Sequence, residues 1–205
     1  GFGKWGIGGR GTSGVPEKHG FDKFFGYYDQ VHAHTYYPQY LIRNSREVPL
    51  KGNRGESFYD GETHAQVEIF KEAMNFIRQK KDEQFFCYLP WMPPHGLWGI
   101  NEDNPSWLLF KDKPWKAGQR NETDAKVYAA FMHMMDRQVG EIIATLKDLG
   151  IDDNTVFFLC GDNGGQDYFK SKERPHGFFA PNLNPETRAR FRAGKGSLYE
   201  GGLKV

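Results

Sequence analysis

Two helical patterns, each followed by a short apolar run, constrain the fold of this 205-residue chain more than any other feature. Residues 62 to 80, ETHAQVEIFKEAMNFIRQK, place Ala65, Ile69, Ala73, Phe76 and Ile77 at helical spacing with charges between them, which predicts an amphipathic helix. FFCYLP (85 to 90) follows, an apolar aromatic run of strand length that ends in the turn residues of WMPPHG. A second helix is predicted from a cap at Thr123 or Asp124 to a stop at Gly150, with Lys147 in its last turn. Val127, Phe131, Met135, Val139, Ile142, Leu146 and Leu149 line one face of it, and this stripe reads as core. NTVFFLC (154 to 160) is apolar without alternation, as a parallel strand covered on both faces is. Helix, strand, helix, strand of this kind predicts an α/β fold with a parallel sheet, in which ligands gather beyond the carboxyl ends of the strands.

The flanks, 1 to 60 and 164 to 205, are rich in Gly, Pro and aromatic residues and are expected to be long ordered loops. The chain opens on GFGKWGIGG and closes on YEGGLKV, so it is expected to be an internal piece of a longer chain. A net charge of +1 argues against a general polyanion binder such as a nucleic-acid module. Between 170 and 195, however, Lys170, Lys172, Arg174, Arg188, Arg190, Arg192 and Lys195 face only Glu173 and Glu186. That stretch is either a solvated loop or a surface that attracts an anionic substrate. Cys87 and Cys160 each sit inside an apolar run and belong to no Cys-x-x-Cys pair, so buried free thiols are expected and zinc is not. No apolar run approaches the roughly 20 residues needed to span a bilayer.

Several residues carry chemistry. Asp162 and Asn163, directly after the second apolar run, offer oxygen ligands to a hard cation, although Asp-Asn-Gly is also good turn chemistry. His95 follows two prolines that stiffen its backbone, and could bind metal, hold an anion, donate a proton or simply be exposed. Lys4 in GKWG and Lys195 in AGKGS sit among glycines that let a ligand approach the backbone. Neither belongs to a P-loop, because Gly-x-x-x-x-Gly-Lys-Ser/Thr is absent.

Taken together, GKWGIGG, GFDKFFGY, FFCYLPWMPPHG, YAAFMHMMDRQVGEI, GDNGG and GKGSLYEGG resemble the successive motifs of the sulfatases, arylsulfatase-like members of the alkaline-phosphatase-like superfamily. The order is the expected one from end to end. The resemblance implies a three-layer α/β/α domain with a mostly parallel sheet, incomplete at both ends, of which residues 1 to 205 are the central part of a single catalytic domain. It implies hydrolysis of sulfate esters of carbohydrate or aryl substrates, with calcium, or magnesium in its place, beside a formylglycine nucleophile. Asp162 and Asn163 would be two of the metal ligands, Lys4 and Lys195 would hold the sulfate, and His95 would face the ester oxygen. Periplasmic or secreted localisation is the family expectation.

Two departures qualify the match. The Cys- or Ser-x-Pro-x-Arg segment that carries the nucleophile is absent, as are the paired acidic residues that complete the metal site; both are expected upstream of Gly1. The family's His two places after the Lys of GKW is replaced by Gly6. QVHAHTYYPQY (30 to 40) offers His32 or His34 as a replacement donor, with Tyr36 and Tyr37 as an aromatic wall for substrate; an extended segment would point the two histidines the same way. The alternative for all four is ordinary surface exposure and loop packing. Two other functions fit the same motifs: a phosphodiesterase or phosphonate hydrolase of the superfamily, which often uses two zinc or manganese ions, and a non-catalytic sulfate-binding domain.

Overall fold

A computed structural model describes residues 1–115, 124–184 and 186–204. The chain divides into two compact units, Gly1–Asp112 with Val127–Thr155, and Lys113–Lys126 with Val156–Val205.

The first unit holds a four-stranded sheet in the order β1 (Phe2–Lys4), β2 (Phe25–Tyr27), β3 (Tyr40–Arg43), β4 (Arg46–Pro49). β1 and β2 are parallel, with Lys4 opposite Tyr27, and the other two pairs are antiparallel. All four strands lie within residues 1 to 60, so the expectation of long loops there is corrected. Their shortness hid them: strands of three or four residues, two of them FGK and FGY, leave no alternation to read. One signal was available. Asn44 and Ser45 join β3 to β4 with φ of 43° and 64°, the doubly left-handed turn that matches strand twist and favours Asn at its first position.

The predicted first helix is α1 (Ala65–Gln79), which packs on β1 and β2. After a four-residue α2 (Pro105–Leu108), the predicted long helix is α3 (Asp124–Asp148). Asp124 is its first residue; Thr123, the other cap considered, lies outside the described residues. Gly150 stops α3 as expected, with φ 67°: its N–H donates to the Lys147 carbonyl at 2.9 Å and the Ile151 N–H to the Leu146 carbonyl at 3.0 Å. Phe70, Met74 and Ile77 of α1 meet Ile142 and Leu146 of α3, with Phe85, Cys87, Leu89 and Trp91 against them. A buried hydrogen bond, donated by Gln66 Nε2 to Gln138 Oε1 at 2.9 Å, ties the two helices.

The two apolar runs differ in outcome. Residues 85 to 90 form no regular strand but lie along β1 with the same polarity, since the Phe2 N–H donates to the Tyr88 carbonyl at 2.9 Å and the Lys4 N–H to the Pro90 carbonyl at 2.7 Å. The buried strand expected at 154 to 160 is corrected. Asp152–Asn154 is a 3-10 turn, and Val156, Phe158 and Leu159 are 78%, 88% and 68% exposed. A strand is buried on both faces only when other strands flank it, and none of the described sheet pairs with this run. Cys160, expected buried, is exposed for the same reason, whereas burial pushes the Cys87 thiol up to about 11; both are free thiols.

Within Val156–Val205 of the second unit, the described residues form α4 (Glu200–Leu203) and an isolated bridge between Leu183 and Arg190. Asp167 organises part of the basic stretch: Arg190 bonds to its carboxylate and Lys170 lies 3.6 Å from it. Arg174 covers the Phe178 ring and Arg192 the Tyr199 ring, at 4.3 and 3.6 Å from the centroids.

Candidate functional site

The carboxyl ends of β1, β2 and the 85 to 90 run all lie at one end of the first unit, the end where a parallel arrangement places ligands. Lys4 closes β1 and is half-buried. Two residues on, Gly6 has φ 75°, a backbone that side chains adopt only with strain. A Cβ there would fall 2.3 Å from Nε2 of Gln30, so the Gln30 carboxamide occupies the space over Gly6 where any side chain at that position would begin.

Beyond β2, the Asp29 carboxylate accepts from the Val31 N–H at 2.8 Å and the His32 N–H at 2.9 Å, and these bonds hold it below its ordinary range. The capture winds His32–His34 into a 3-10 turn rather than an extended segment, which corrects the expectation that the two imidazoles point the same way. The His32 ring packs between Tyr27 and Tyr40, centroids 5.2 and 4.7 Å away, and burial lowers its pKa. The His34 ring meets that of His95 edge to face at 5.3 Å.

Tyr36 and Tyr37 are also corrected as an open wall: they are 0% and 2% exposed. The chain runs inward from Thr35, and the rings pack in the core. Tyr36 stacks on His64 at 5.2 Å and meets Phe131 at 4.5 Å; its hydroxyl donates to the His95 carbonyl at 2.8 Å. The Tyr37 hydroxyl donates to Asn101 Oδ1 at 3.1 Å, and burial pushes its phenol well up.

His95 closes a tight turn, its N–H donating to the Met92 carbonyl at 3.0 Å. Its Nδ1 bonds to the Gly96 carbonyl, which can only accept, so Nδ1 carries the proton of that bond. Sequence reasoning passed over His64. It is the end of an Asp-x-x-x-His spacing from Asp60, yet it is 3% exposed, with Nε2 3.2 Å from the Gly99 carbonyl and Nδ1 without a hydrogen bond. Burial lowers its pKa to about 4, so at neutral pH it is an uncharged core residue.

In the second unit, Asp162 is exposed and Asn163 half-buried, in the turn that follows the apolar run. The GDNGG and AGKGS segments are laced together: the Lys195 N–H donates to the Gly165 carbonyl at 3.0 Å, as does Asn182 Nδ2 at 2.9 Å, and the Gly164 N–H donates to the Gly202 carbonyl at 3.0 Å. Gly164 is required by close approach, since a Cβ would lie 2.0 Å from the Gly201 carbonyl oxygen. Lys195 thus starts beside the turn that carries Asp162 and Asn163. A carboxylate and an amide oxygen suit a hard cation, and they supply two donors; no cluster of three His, Cys, Asp or Glu occurs among the described residues.

A family model described as Sulfatase matches residues 1–205. The chain is 32% identical to a sulfatase of Formosa agariphila, over 77% of this chain and 27% of that protein. It is 28% identical to the N-acetylgalactosamine-6-sulfatase of Canis lupus familiaris, over 98% of this chain and 35% of that one. The chain therefore spans about a quarter to a third of these relatives. Among solved structures, Ps i-CgsB superposes with a TM-score of 0.68 at 25% identity, covering 98% of this chain and 42% of that one. Its complex with k-i-k-neocarrahexaose gives the same TM-score at 24% identity.

Proposed function

Because the chain belongs to the sulfatase family, we propose that the protein is a sulfuric ester hydrolase acting on sulfated carbohydrate or aryl substrates. The family match over the whole described sequence carries this reading. The chemistry of both units supports it: one carries Lys4 at the end of β1 and His95 in the turn after the 85 to 90 run, and the other bonds the loop of Lys195 to the turn of Asp162 and Asn163.

In the proposed reaction the Lys4 and Lys195 ammonium groups bind the sulfate and offset the charge that grows on its oxygens as the S–O ester bond breaks. His95 gives a proton from Nε2 to the departing oxygen, which matters most when that oxygen belongs to a sugar alcohol. His34, edge to face with His95, borders the same imidazole. Asp162 and Asn163 would supply two oxygen ligands to calcium, which when bound polarises the sulfate oxygens. The nucleophile of the proposal is a formylglycine outside these residues, since no Cys- or Ser-x-Pro-x-Arg occurs among them. The carbohydrate preference follows relatives such as the canine N-acetylgalactosamine-6-sulfatase.

The test is release of inorganic sulfate by the whole protein from sulfated monosaccharides and from 4-nitrocatechol sulfate, in parallel with cleavage of bis(4-nitrophenyl) phosphate. Sulfate release at rates well above phosphodiester cleavage is expected. Preferential phosphodiester cleavage would move the protein to the phosphodiesterases of the superfamily, and saturable binding of sulfated sugar without turnover would make it a sulfate-binding domain.

A further inference from the structure

The segment that carries His95 is held from beneath by three buried groups distant in sequence. The Tyr36 hydroxyl donates to the carbonyl of His95 at 2.8 Å, His64 Nε2 lies 3.2 Å from the carbonyl of Gly99, and the Tyr37 hydroxyl donates to Asn101 Oδ1 at 3.1 Å. The donor nearest the imidazole, Tyr36, is itself immobilised on every side. Its ring is 0% exposed, lies nearly parallel to His64 with 21° between planes, and takes the edge of Phe131 at 4.5 Å. Its carbonyl accepts the Ala65 N–H at 2.8 Å at the start of α1, so backbone as well as ring is anchored to the helix.

A phenol in the packed interior with its hydroxyl aimed at a turn carbonyl fixes that carbonyl in space, and the peptide plane it fixes joins His95 to Gly96. The same turn orients the imidazole through Nδ1 and the Gly96 carbonyl. The Tyr36 bond and the ring's own bond therefore act on consecutive carbonyls. We propose that Tyr36 is a positioning residue for His95: held by His64, Phe131 and the start of α1, it fixes the turn that aims Nε2 of the imidazole. Tyr36 does not touch the substrate. In its bearing on turnover the proposal rests on the reading of His95 as the proton donor above.

Tyr36→Phe keeps the ring and removes the hydroxyl, so the packing on His64 and Phe131 is retained. Loss of the bond lets the turn and the ring sample other orientations, and turnover of a sulfated sugar alcohol is expected to fall about tenfold in kcat with KM within twofold, while 4-nitrocatechol sulfate falls less than about twofold. A merely structural role would lower both substrates by one factor, through the folded fraction. A second measurement does not depend on sulfatase activity: carbethoxylation of individual histidines by diethyl pyrocarbonate, followed by mass spectrometry. In the variant His95 is expected to react several-fold faster while the buried His64 keeps its wild-type rate. If His95 reacts faster and no sulfate ester is turned over by either protein, the positioning role stands and the hydrolase reading falls. An unchanged His95 rate, or a rise shared equally by His64, overturns the positioning role whatever the activity.

Discussion

His64 makes the protein sensitive to acid in a way that can be worked from its surroundings. Its ring is enclosed by Tyr36, Tyr37 and Phe131 at 5.2, 5.3 and 5.9 Å, and its one hydrogen bond is to the Gly99 carbonyl. Burial disfavours the charged ring, so the folded protein takes up the proton only near pH 4, against 6.5 for an ordinary histidine. Between those values the unfolded chain binds more protons than the folded one, and stability must fall as the pH falls. The loss begins as the pH drops through 6.5, is about 2 kcal/mol by pH 5 and reaches about 3 kcal/mol by pH 4. Carboxylates titrate in the same range, so the comparison is with His64→Gln, which can still donate to the Gly99 carbonyl and has no proton to gain. Urea unfolding of both whole proteins, followed by tryptophan fluorescence from pH 7 to pH 4, reads the difference directly. Wild type is expected to lose about 3 kcal/mol more than the variant over that interval. Parallel stability curves would refute a neutral, desolvated His64.

Four further outcomes follow. Asp162→Ala removes a carboxylate from the proposed calcium site, and is expected to lower bound calcium, measured by mass spectrometry, and to abolish sulfate release; unchanged metal content and activity would return Asp162 to turn duty. Lys195→Ala is expected to raise KM and lower kcat for every sulfate ester alike, because in the proposed role its charge faces the anion throughout; an effect confined to one leaving group would contradict that role. His95→Ala should slow sugar sulfates far more than nitrophenyl sulfates, and equal losses would remove proton donation from its duties. Gly6→Ala is expected to cost about 1–2 kcal/mol in thermal or urea unfolding, since φ of 75° is strained for any residue with a Cβ, and a neutral result would show that the loop relaxes.

How much of this was legible depended on range. The two long helices could be read because a helix writes its burial into its own spacing: Ile69, Ala73 and Ile77 are buried, as are Val127, Phe131, Ile142 and Leu146. Even there the reading drifted by one position along α3, where Met134 and Gln138 are buried and Met135 and Val139 only half-buried, because the neighbour, not the helix, chooses the centre of the face. Strands of three or four residues carry too few side chains to show a period, and their pairing is non-local, so β1 and β2 were invisible. The site was legible as residue types, not as arrangement. Nothing in QVHAHTYYPQY announces that Asp29 will capture two backbone N–H groups and wind the histidines into a turn, which sends one imidazole to Tyr27 and Tyr40 and the other to His95.

The same segment shows why the site is inseparable from the core beneath it. An imidazole that donates a proton gains from being held in one orientation. The fold adds support from behind: Tyr36 and Tyr37 reach the 95 to 101 segment with their hydroxyls while their rings are buried against His64. A tyrosine suits that duty because its ring adds to the core while its hydroxyl still reaches a carbonyl. His64 suits it while uncharged, because a charged ring would be buried among Tyr36, Tyr37 and Phe131 without water to solvate it. Protonation of that one buried ring in the folded protein would therefore act on the support of His95 only as the pH falls to about 4, so inactivation by this route should set in at the acid end of the window in which stability is already being lost to the unfolded chain.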